Sequence, residues 1–174
     1  RVGHRSTMPA RALVVAAMNP CPCGHHGDPK RICRCTPSAI ARYGARVSGP
    51  LRDRFDLVVT VPRVPSQALR RAEPAESSAD VRARVLAARA RRKARILATP
   101  DRAPLGHGVS ARGLRLLDAA VDRLSLSARG FVKTLRVART LADLGDLDEV
   151  GSAEIAEALQ YRGDLSASEG AACA

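Results

Sequence analysis

Four cysteines constrain the first part of this 174-residue chain more than any other feature. They form two tight pairs, Cys21/Cys23 and Cys33/Cys35, with nine residues between the pairs. The surrounding segment, residues 20–37, is rich in proline and glycine and is too short to build a hydrophobic core. Four thiolates from two short pairs can close a tetrahedral zinc site, which takes the place of a core in small loops. The pattern therefore predicts a metal site at these four cysteines.

Two alternatives to this ligand set remain open. Zinc-binding pairs usually have about two to four intervening residues, so Cys-x-Cys is tight, and His25 or His26 could replace one sulfur. The other alternative is a loop with reduced, free thiols. Cys173 has no neighbouring cysteine in the sequence and is given no role.

Two apolar runs flank the cysteines. The first, Ala10–Met18, ends abruptly at Asn19-Pro20, and the second, Leu57–Val61, stops at Pro62. Neither run alternates with polar residues, which is typical of central strands covered on both faces. We therefore predict two buried strands of a parallel sheet.

Helical periodicity dominates the remainder of the chain. A helix is predicted to start at Pro37, with Thr36 as its cap, and to end at Ser48-Gly49-Pro50. After the proline-containing residues 63–78, which we interpret as a linker, four more helices are predicted. They are residues 79–98, a helix capped by Ser110 through Leu124, one capped by Ser127 and ended by Gly145, and one capped by Ser152 through Tyr161.

The charge balance favours a polyanionic partner. The net charge is +12, and all but three of the 29 basic residues are arginine. Nucleic acid and nucleotide phosphate are the partners that such a chain favours. The arginine-rich face of residues 79–98 could contact DNA, but it is more typical of a solvated surface. The sequence has no apolar run near the ~20 residues that span a bilayer and no signal-peptide layout. We therefore expect a cytoplasmic protein, and the start without Met leads us to expect a fragment.

Several catalytic motifs are absent from the 174 residues. There is no Gly-x-x-x-x-Gly-Lys-Ser/Thr loop, and no acidic cluster at the end of an apolar run to hold Mg²⁺. The sequence also lacks Gly-x-Ser-x-Gly and His-Glu-x-x-His. We therefore expect the chain to be inactive as an enzyme when alone.

Five segments together resemble the magnesium-chelatase-like AAA+ ATPases of the YifB/ComM group. They are Ala16–Gly24, Cys33–Pro37, Ser48–Leu57, Leu135–Leu144 and Glu157–Arg162. The resemblance covers about residues 8 to 162 and corresponds to the C-terminal portion of such a protein.

The resemblance implies an α/β AAA+ core, of which only the C-terminal part is present, followed by a small all-α helical lid domain. The core would comprise residues 1–62, with a few strands of a parallel sheet and the cysteine-rich loop. Residues 63–78 would link it to the lid at residues 79–162, and residues 163–174 would be a disordered tail.

Four residues acquire roles from the resemblance. Asn19 matches sensor 1, the polar residue that contacts the γ-phosphate and orients the attacking water; the alternative is a turn cap before Pro20. Arg54 matches the arginine finger, which acts on the neighbouring subunit's nucleotide; the alternative is an ion pair with Asp53 or Asp56. Arg136 matches sensor 2, which reaches the nucleotide of its own subunit, and Arg129 is the second choice. The alternative for Arg136 is a surface ion pair with Asp143 or Asp122.

The resemblance further implies a ring-forming ATPase, hexameric by expectation, that uses ATP and Mg²⁺ and acts as a DNA motor of the helicase or branch-migration type in competence. A zinc-dependent nucleic-acid-binding module is one alternative. A chelatase motor subunit is the other.

Overall fold

The computed structural model describes residues 12–64, 76–99 and 105–162, together with Gly3, Thr7, Pro9, Ser66 and Arg70. It divides into two compact units, residues 1–44 and 45–174. Six helices have defined bounds in the described residues. They are α1 (Pro37–Gly44), α2 (Gly49–Arg52), α3 (Ser78–Ala98), α4 (Ala111–Leu124), α5 (Ala128–Leu144) and α6 (Ser152–Gln160).

Serine caps set the starts of the long helices, as predicted. The hydroxyls of Ser110 and Ser127 accept hydrogen bonds from the amides of Gly113 and Gly130, at 3.0 and 3.1 Å. Each cap satisfies an amide that the first helical turn leaves without a partner. Thr36 caps α1 in the same way, with its hydroxyl 3.3 Å from the amide of Ala39.

Two predicted helix boundaries are wrong. The helix after Thr36 ends at Gly44, and Ser48-Gly49-Pro50 begins α2, with the Ser48 side chain as its cap. Proline fits the first turn of a helix because its missing N–H has no partner there in any case. The last helix is capped by Gly151, whose amide donates to the Glu154 carboxylate at 2.9 Å, so that Ser152 is its first residue.

The two predicted strands are absent from the described residues 12–18 and 57–61, which form neither a helix nor a paired strand. Leu13, Val15 and Val61 are 91%, 84% and 82% exposed. A central strand is stabilised by neighbours on both edges and by helices on both faces, and the described residues supply neither. Ala10 lies outside the described residues, as does the predicted tail, residues 163–174.

The hydrophobic core lies in the second unit. Helix α5 packs against α3 and α6, and α4 packs against α6. The fully or nearly buried core residues are Leu117, Val137, Ala138, Ala142, Val150, Ile155 and Ala158. A short parallel bridge between Val109 and Val150 joins the two loops beside this core. The helical fold predicted for this part of the chain is therefore present.

A buried carboxylate, Asp143, joins α3 to the end of α5. Its oxygens lie 2.6 Å from Arg95 Nη2 and 3.4 Å from Arg139 Nε, and Asp143 itself is 4% exposed. Arg139 also donates to the backbone oxygens of Leu147 and Asp148, at 2.8 and 2.7 Å. Asp143 therefore orients both Arg95 and Arg139. Arg95 connects α3 to the end of α5, and Arg139 holds the loop after α5.

Removal of this carboxylate is expected to destabilise the helical part strongly. We expect Asp143→Ala to lower the free energy of unfolding by on the order of 3 kcal/mol, because two partly buried arginines would lose their counter-charge. Urea unfolding followed by circular dichroism measures the change. Asp122→Ala, an exposed position on α4, is the matched control and should change stability by less than about 0.5 kcal/mol. Equal effects of the two substitutions would contradict the assignment.

Candidate metal centre and phosphate-directed arginines

The four predicted cysteine ligands come together in one cluster. The sulfurs of Cys21, Cys23, Cys33 and Cys35 all lie within 4.8 Å of one another. Three of the separations are 3.4 Å for Cys21–Cys23, 3.7 Å for Cys21–Cys33 and 3.6 Å for Cys23–Cys33. A disulfide would require ~2.05 Å, whereas a tetrahedral zinc site with Zn–S bonds of ~2.3 Å places its sulfurs ~3.8 Å apart. The cluster can therefore hold a metal ion.

Local turns create this arrangement. The amide of Gly24 donates to the Cys21 carbonyl at 3.0 Å, and the amide of His26 donates to the Cys21 sulfur at 3.3 Å. Gly24 and Gly27 both have φ of +79°, a conformation that side chains disfavour. The loop thus folds back on Cys21, whose side chain is completely buried.

The thiols differ strongly in acidity. Backbone hydrogen bonds from Arg34 and His25, together with the Cys21 side chain, lower the pKa of Cys23 to about 6. The pKa of Cys35 is raised to about 12: a backbone hydrogen bond from Cys23 lowers it, but desolvation and the neighbouring sulfurs outweigh that effect. One thiolate therefore forms readily, whereas additional negative charge in the same cluster is unfavourable. A bound cation would relieve this repulsion, because it stabilises coordinating thiolates.

Neither histidine belongs to the sulfur cluster. Among the described residues, the group with metal-ligand spacing contains the four cysteines and excludes His25 and His26. The donor set is therefore all sulfur, which suits zinc better than Mg²⁺ or Ca²⁺.

Asn19 lies immediately before this cluster. It is exposed and follows the exposed residues 12–18. A Cβ atom at Gly24 would approach its amide group at 3.9 Å, so the Asn19 side chain lies beside the turn that follows Cys21. Asn19 belongs to the first compact unit, whereas Arg54, Arg129 and Arg136 belong to the second.

The Arg54 side chain is exposed just after α2. Its guanidinium donates to the carbonyl of Pro50 at 2.7 Å. Asp56, one of the acids considered as its ion-pair partner, instead lies 3.1 Å from Lys133 Nζ. In the described residues, Arg54 therefore forms no ion pair with Asp56, and its charge faces solvent.

Helix α5 carries both candidates for sensor 2. Arg129 and Arg136 are exposed and seven residues apart, so they lie on one face of the helix, two turns from each other. Asp143, the suggested partner of Arg136, is bonded to Arg95 and Arg139 instead. Asp122 likewise forms no ion pair with Arg136 within the described parts of the chain. Both arginines are thus accessible to an anionic ligand.

Two family models match the chain, one after the other. The first 69 residues match the family described as magnesium chelatase, subunit ChlI. Residues 75–162 match the C-terminal domain of the same subunit. The second match alone covers half of the chain. The chain belongs to the magnesium-chelatase ChlI family.

Curated relatives in this family include proteins of the YifB/ComM group, which confirms the resemblance found in the sequence. The chain is 38% identical over 168 residues to YifB, an uncharacterized protein of Escherichia coli K12. It is 38% identical over 170 residues to the competence protein ComM of Haemophilus influenzae. Each alignment covers 93% of this chain and 33% of the relative. An uncharacterized protein of Mycobacterium tuberculosis is 39% identical over 163 residues, which is 88% of this chain and 32% of that protein. This member of the magnesium-chelatase family therefore spans about a third of the length of these relatives.

Sequence patterns gave no role to Lys133. In the structure, Lys133 contacts the backbone of Arg54 and the side chain of Asp56. Lys133 Nζ donates to the Arg54 carbonyl and is ion-paired with Asp56. Its side chain lies on the face of α5 between Arg129 and Arg136. The one available signal was composition, because Lys133 is one of only three lysines in a chain that otherwise uses arginine.

No helix in the described residues combines the length and the apolar character that a membrane crossing would require.

Proposed function

We propose that this chain is the C-terminal portion of a ring-forming, cytoplasmic AAA+ ATPase that moves DNA at the expense of ATP and Mg²⁺. The observation that carries the proposal is the exposed Arg54 guanidinium, on a residue whose backbone carbonyl is held by Lys133. The chain that contains it matches both ChlI family models. The similarity to the competence protein ComM supports a role on DNA. A hexameric ring is the expected assembly.

Each of the four candidate phosphate-contacting residues has a chemical task in this proposal. Arg54 would contact the γ-phosphate bound to the neighbouring subunit and stabilise the charge that develops during hydrolysis. Arg136, or Arg129 in its place, would contact the nucleotide of its own subunit. The planar, permanently charged guanidinium suits both tasks because it can form two parallel hydrogen bonds to phosphate oxygens. Asn19 would orient the attacking water through its side-chain amide.

The proposal also includes the domain organisation. Residues 1–62 would complete an AAA+ core, residues 63–78 would link it to the helical lid at residues 79–162, and a tail would follow. In the core, residues 12–18 and 57–61 would become strands when the remainder of a parallel sheet pairs with them. Their high exposure in the present structure supports this view, because apolar side chains of this size are normally covered.

The four cysteines would hold a structural zinc ion beside sensor 1. The ion would cross-link residues 20–37, a loop that has no hydrophobic core of its own. Zinc would therefore be separable from nucleotide hydrolysis.

The test uses the full-length gene product. We expect the coding sequence upstream of Arg1 to encode the phosphate-binding and magnesium-binding motifs in frame. We also expect the purified protein to hydrolyse ATP and to unwind or branch-migrate DNA in an ATP-dependent assay. A protein with no ATP hydrolysis would overturn the proposal. Hydrolysis stimulated by a metal-insertion partner, without action on DNA, would favour a chelatase motor subunit instead.

A second candidate function rests on the first compact unit. The cysteine cluster and the basic side chains around it, in a chain of net charge +12, fit a zinc-dependent module that binds nucleic acid. Binding of single-stranded DNA by the present chain, weakened by salt and lost with zinc chelation, would support this function. The chain has only two Phe, two Tyr and no Trp for base stacking, which counts against it.

A further inference from the structure

Residues 54–58 are fixed to the helical part by contacts from distant positions in the chain. The Arg54 carbonyl accepts a hydrogen bond from Lys133 Nζ, and the next carbonyl, that of Phe55, accepts one from Arg162 Nη1 at 3.2 Å. The amide of Val58 donates to the Tyr161 carbonyl at 2.8 Å. These three bonds join three residues of the segment 54–58 to α5 and to the turn after α6. We call residues 54–58 the anchored segment.

Lys133 has the most unusual environment in this set of contacts. It is only 9% exposed, although lysine is rarely buried unless its charge is paired. Its ammonium group has three donors, and it uses them toward the Arg54 carbonyl and the Asp56 carboxylate, which lies 3.1 Å away. The ammonium thus satisfies both a backbone oxygen and a carboxylate of the anchored segment.

The contacts hold the backbone of Arg54 but leave its side chain accessible. Lys133 binds the carbonyl, whereas the guanidinium is exposed and donates to the Pro50 carbonyl of α2. In such a residue the backbone is fixed, whereas the guanidinium can turn toward a ligand. This is the requirement for an arginine that must reach a phosphate outside its own subunit.

Lys133 also connects Arg54 to the sensor 2 candidates. Arg129, Lys133, Arg136 and Thr140 follow one another at helical spacing on a single face of α5. A movement of α5 that follows a contact of Arg129 or Arg136 with nucleotide would therefore move the Arg54 backbone as well.

We propose that Lys133 is a positioning residue that fixes the arginine finger to the helix carrying sensor 2. This inference rests on the proposed ATPase function. Nucleotide bound in one subunit would set the position of the finger presented to the next subunit. The ion pair of Lys133 with Asp56 and the hydrogen bond from Arg162 to the Phe55 carbonyl support the same stretch of backbone.

The first measurement is structural and uses the full-length protein. We expect Lys133→Met to speed amide hydrogen exchange of residues 54–58 by about 10- to 100-fold, the equivalent of one lost charged hydrogen bond. Exchange in α4 and α6 should stay unchanged. Lys93→Met, at an exposed lysine of α3, is the matched control and should leave the anchored segment protected. Unchanged exchange of residues 54–58 in Lys133→Met would overturn the inference.

The second measurement is kinetic. We expect Lys133→Met to lower kcat for ATP by about 10²-fold, because a small displacement of a catalytic group has this effect, and to leave KM for ATP unchanged. Lys133→Met subunits mixed with subunits that bind ATP but cannot hydrolyse it should regain hydrolysis, since the second type supplies a correctly placed finger. Absence of recovery would show that Lys133 acts only within its own subunit and would overturn the inference.

Different results would contradict the Lys133 proposal and the ATPase proposal. If Lys133→Met does not fold, Asp56→Asn provides the same test at an exposed partner, with an expected decrease in kcat of up to about fivefold and faster exchange of the anchored segment. An unchanged kcat and unchanged exchange in Asp56→Asn would overturn the role of the ion pair. Full hydrolysis by Arg54→Ala would overturn the finger assignment. Absence of ATP hydrolysis in the unsubstituted full-length protein would overturn the ATPase assignment itself, whatever the exchange of residues 54–58.

Discussion

Arg54→Ala in the full-length protein is expected to reduce ATP hydrolysis by about 10³- to 10⁵-fold, the effect of an arginine finger on other nucleoside triphosphatases. Nucleotide binding should persist, because Arg54 would contact the nucleotide of a neighbouring subunit and act on charge that appears only during hydrolysis. Steady-state phosphate release measures the first effect. Equilibrium binding of a fluorescent ATP analogue measures the second.

Arg52→Ala is the matched control for this experiment. Arg52 lies two residues earlier, at the end of α2, with its side chain half-buried, whereas Arg54 is exposed. The control should keep most of the hydrolysis rate, since the Arg52 side chain is less exposed than that of Arg54 and less able to reach a nucleotide on a neighbouring subunit. If Arg52→Ala abolishes turnover and Arg54→Ala does not, the finger assignment is wrong.

Cys33→Ser is expected to abolish stoichiometric zinc binding. The purified chain should contain about one zinc ion per molecule, as four thiolates in a tetrahedral set provide, and the variant should contain almost none. Cys33 is the informative position because its sulfur lies within 3.7 Å of both Cys21 and Cys23, and so joins the two pairs. Metal analysis by mass spectrometry measures the content.

The structural effect of Cys33→Ser should be confined to the loop that carries the cysteines. Loss of zinc should increase proteolysis and amide exchange between residues 20 and 37, because metal binding supplies the folding energy of such loops. The core around Leu117 and Ile155 should keep its unfolding midpoint, since it belongs to the second compact unit. Cys173→Ser is the control and should retain full zinc. Retention of zinc by Cys33→Ser would contradict the four-cysteine site.

The sequence was most informative where the controlling interactions are local. Ser110 and Ser127 bond to amides three residues away, so spacing alone located the starts of α4 and α5. The cysteine pairs converge through turns within one loop, and their cluster was likewise predictable.

Sequence reasoning failed where a distant partner decides the structure. An apolar run such as Leu57–Val61 becomes a strand only beside other strands, and the described residues provide none. Positions 48–50 are an exception, because the Ser48 side chain caps α2 through a local hydrogen bond from the Leu51 amide, which the interpretation of Ser-Gly-Pro as a helix end missed. Lys133 was not given a role because its partner lies 79 residues away and no spacing rule connects them.

The contact between Arg162 and Phe55 has a consequence for synthesis of the protein. These residues are 107 positions apart. At a translation rate of roughly 5–20 residues per second, Phe55 is made about 5–20 s before Arg162. The anchored segment therefore gains its last contacts only when residues 105–162 are almost complete. A polypeptide truncated before Tyr161 would contain Arg54 without the hydrogen bonds at Phe55 and Val58, so under the proposed function its action on a neighbouring subunit would depend on the last steps of translation.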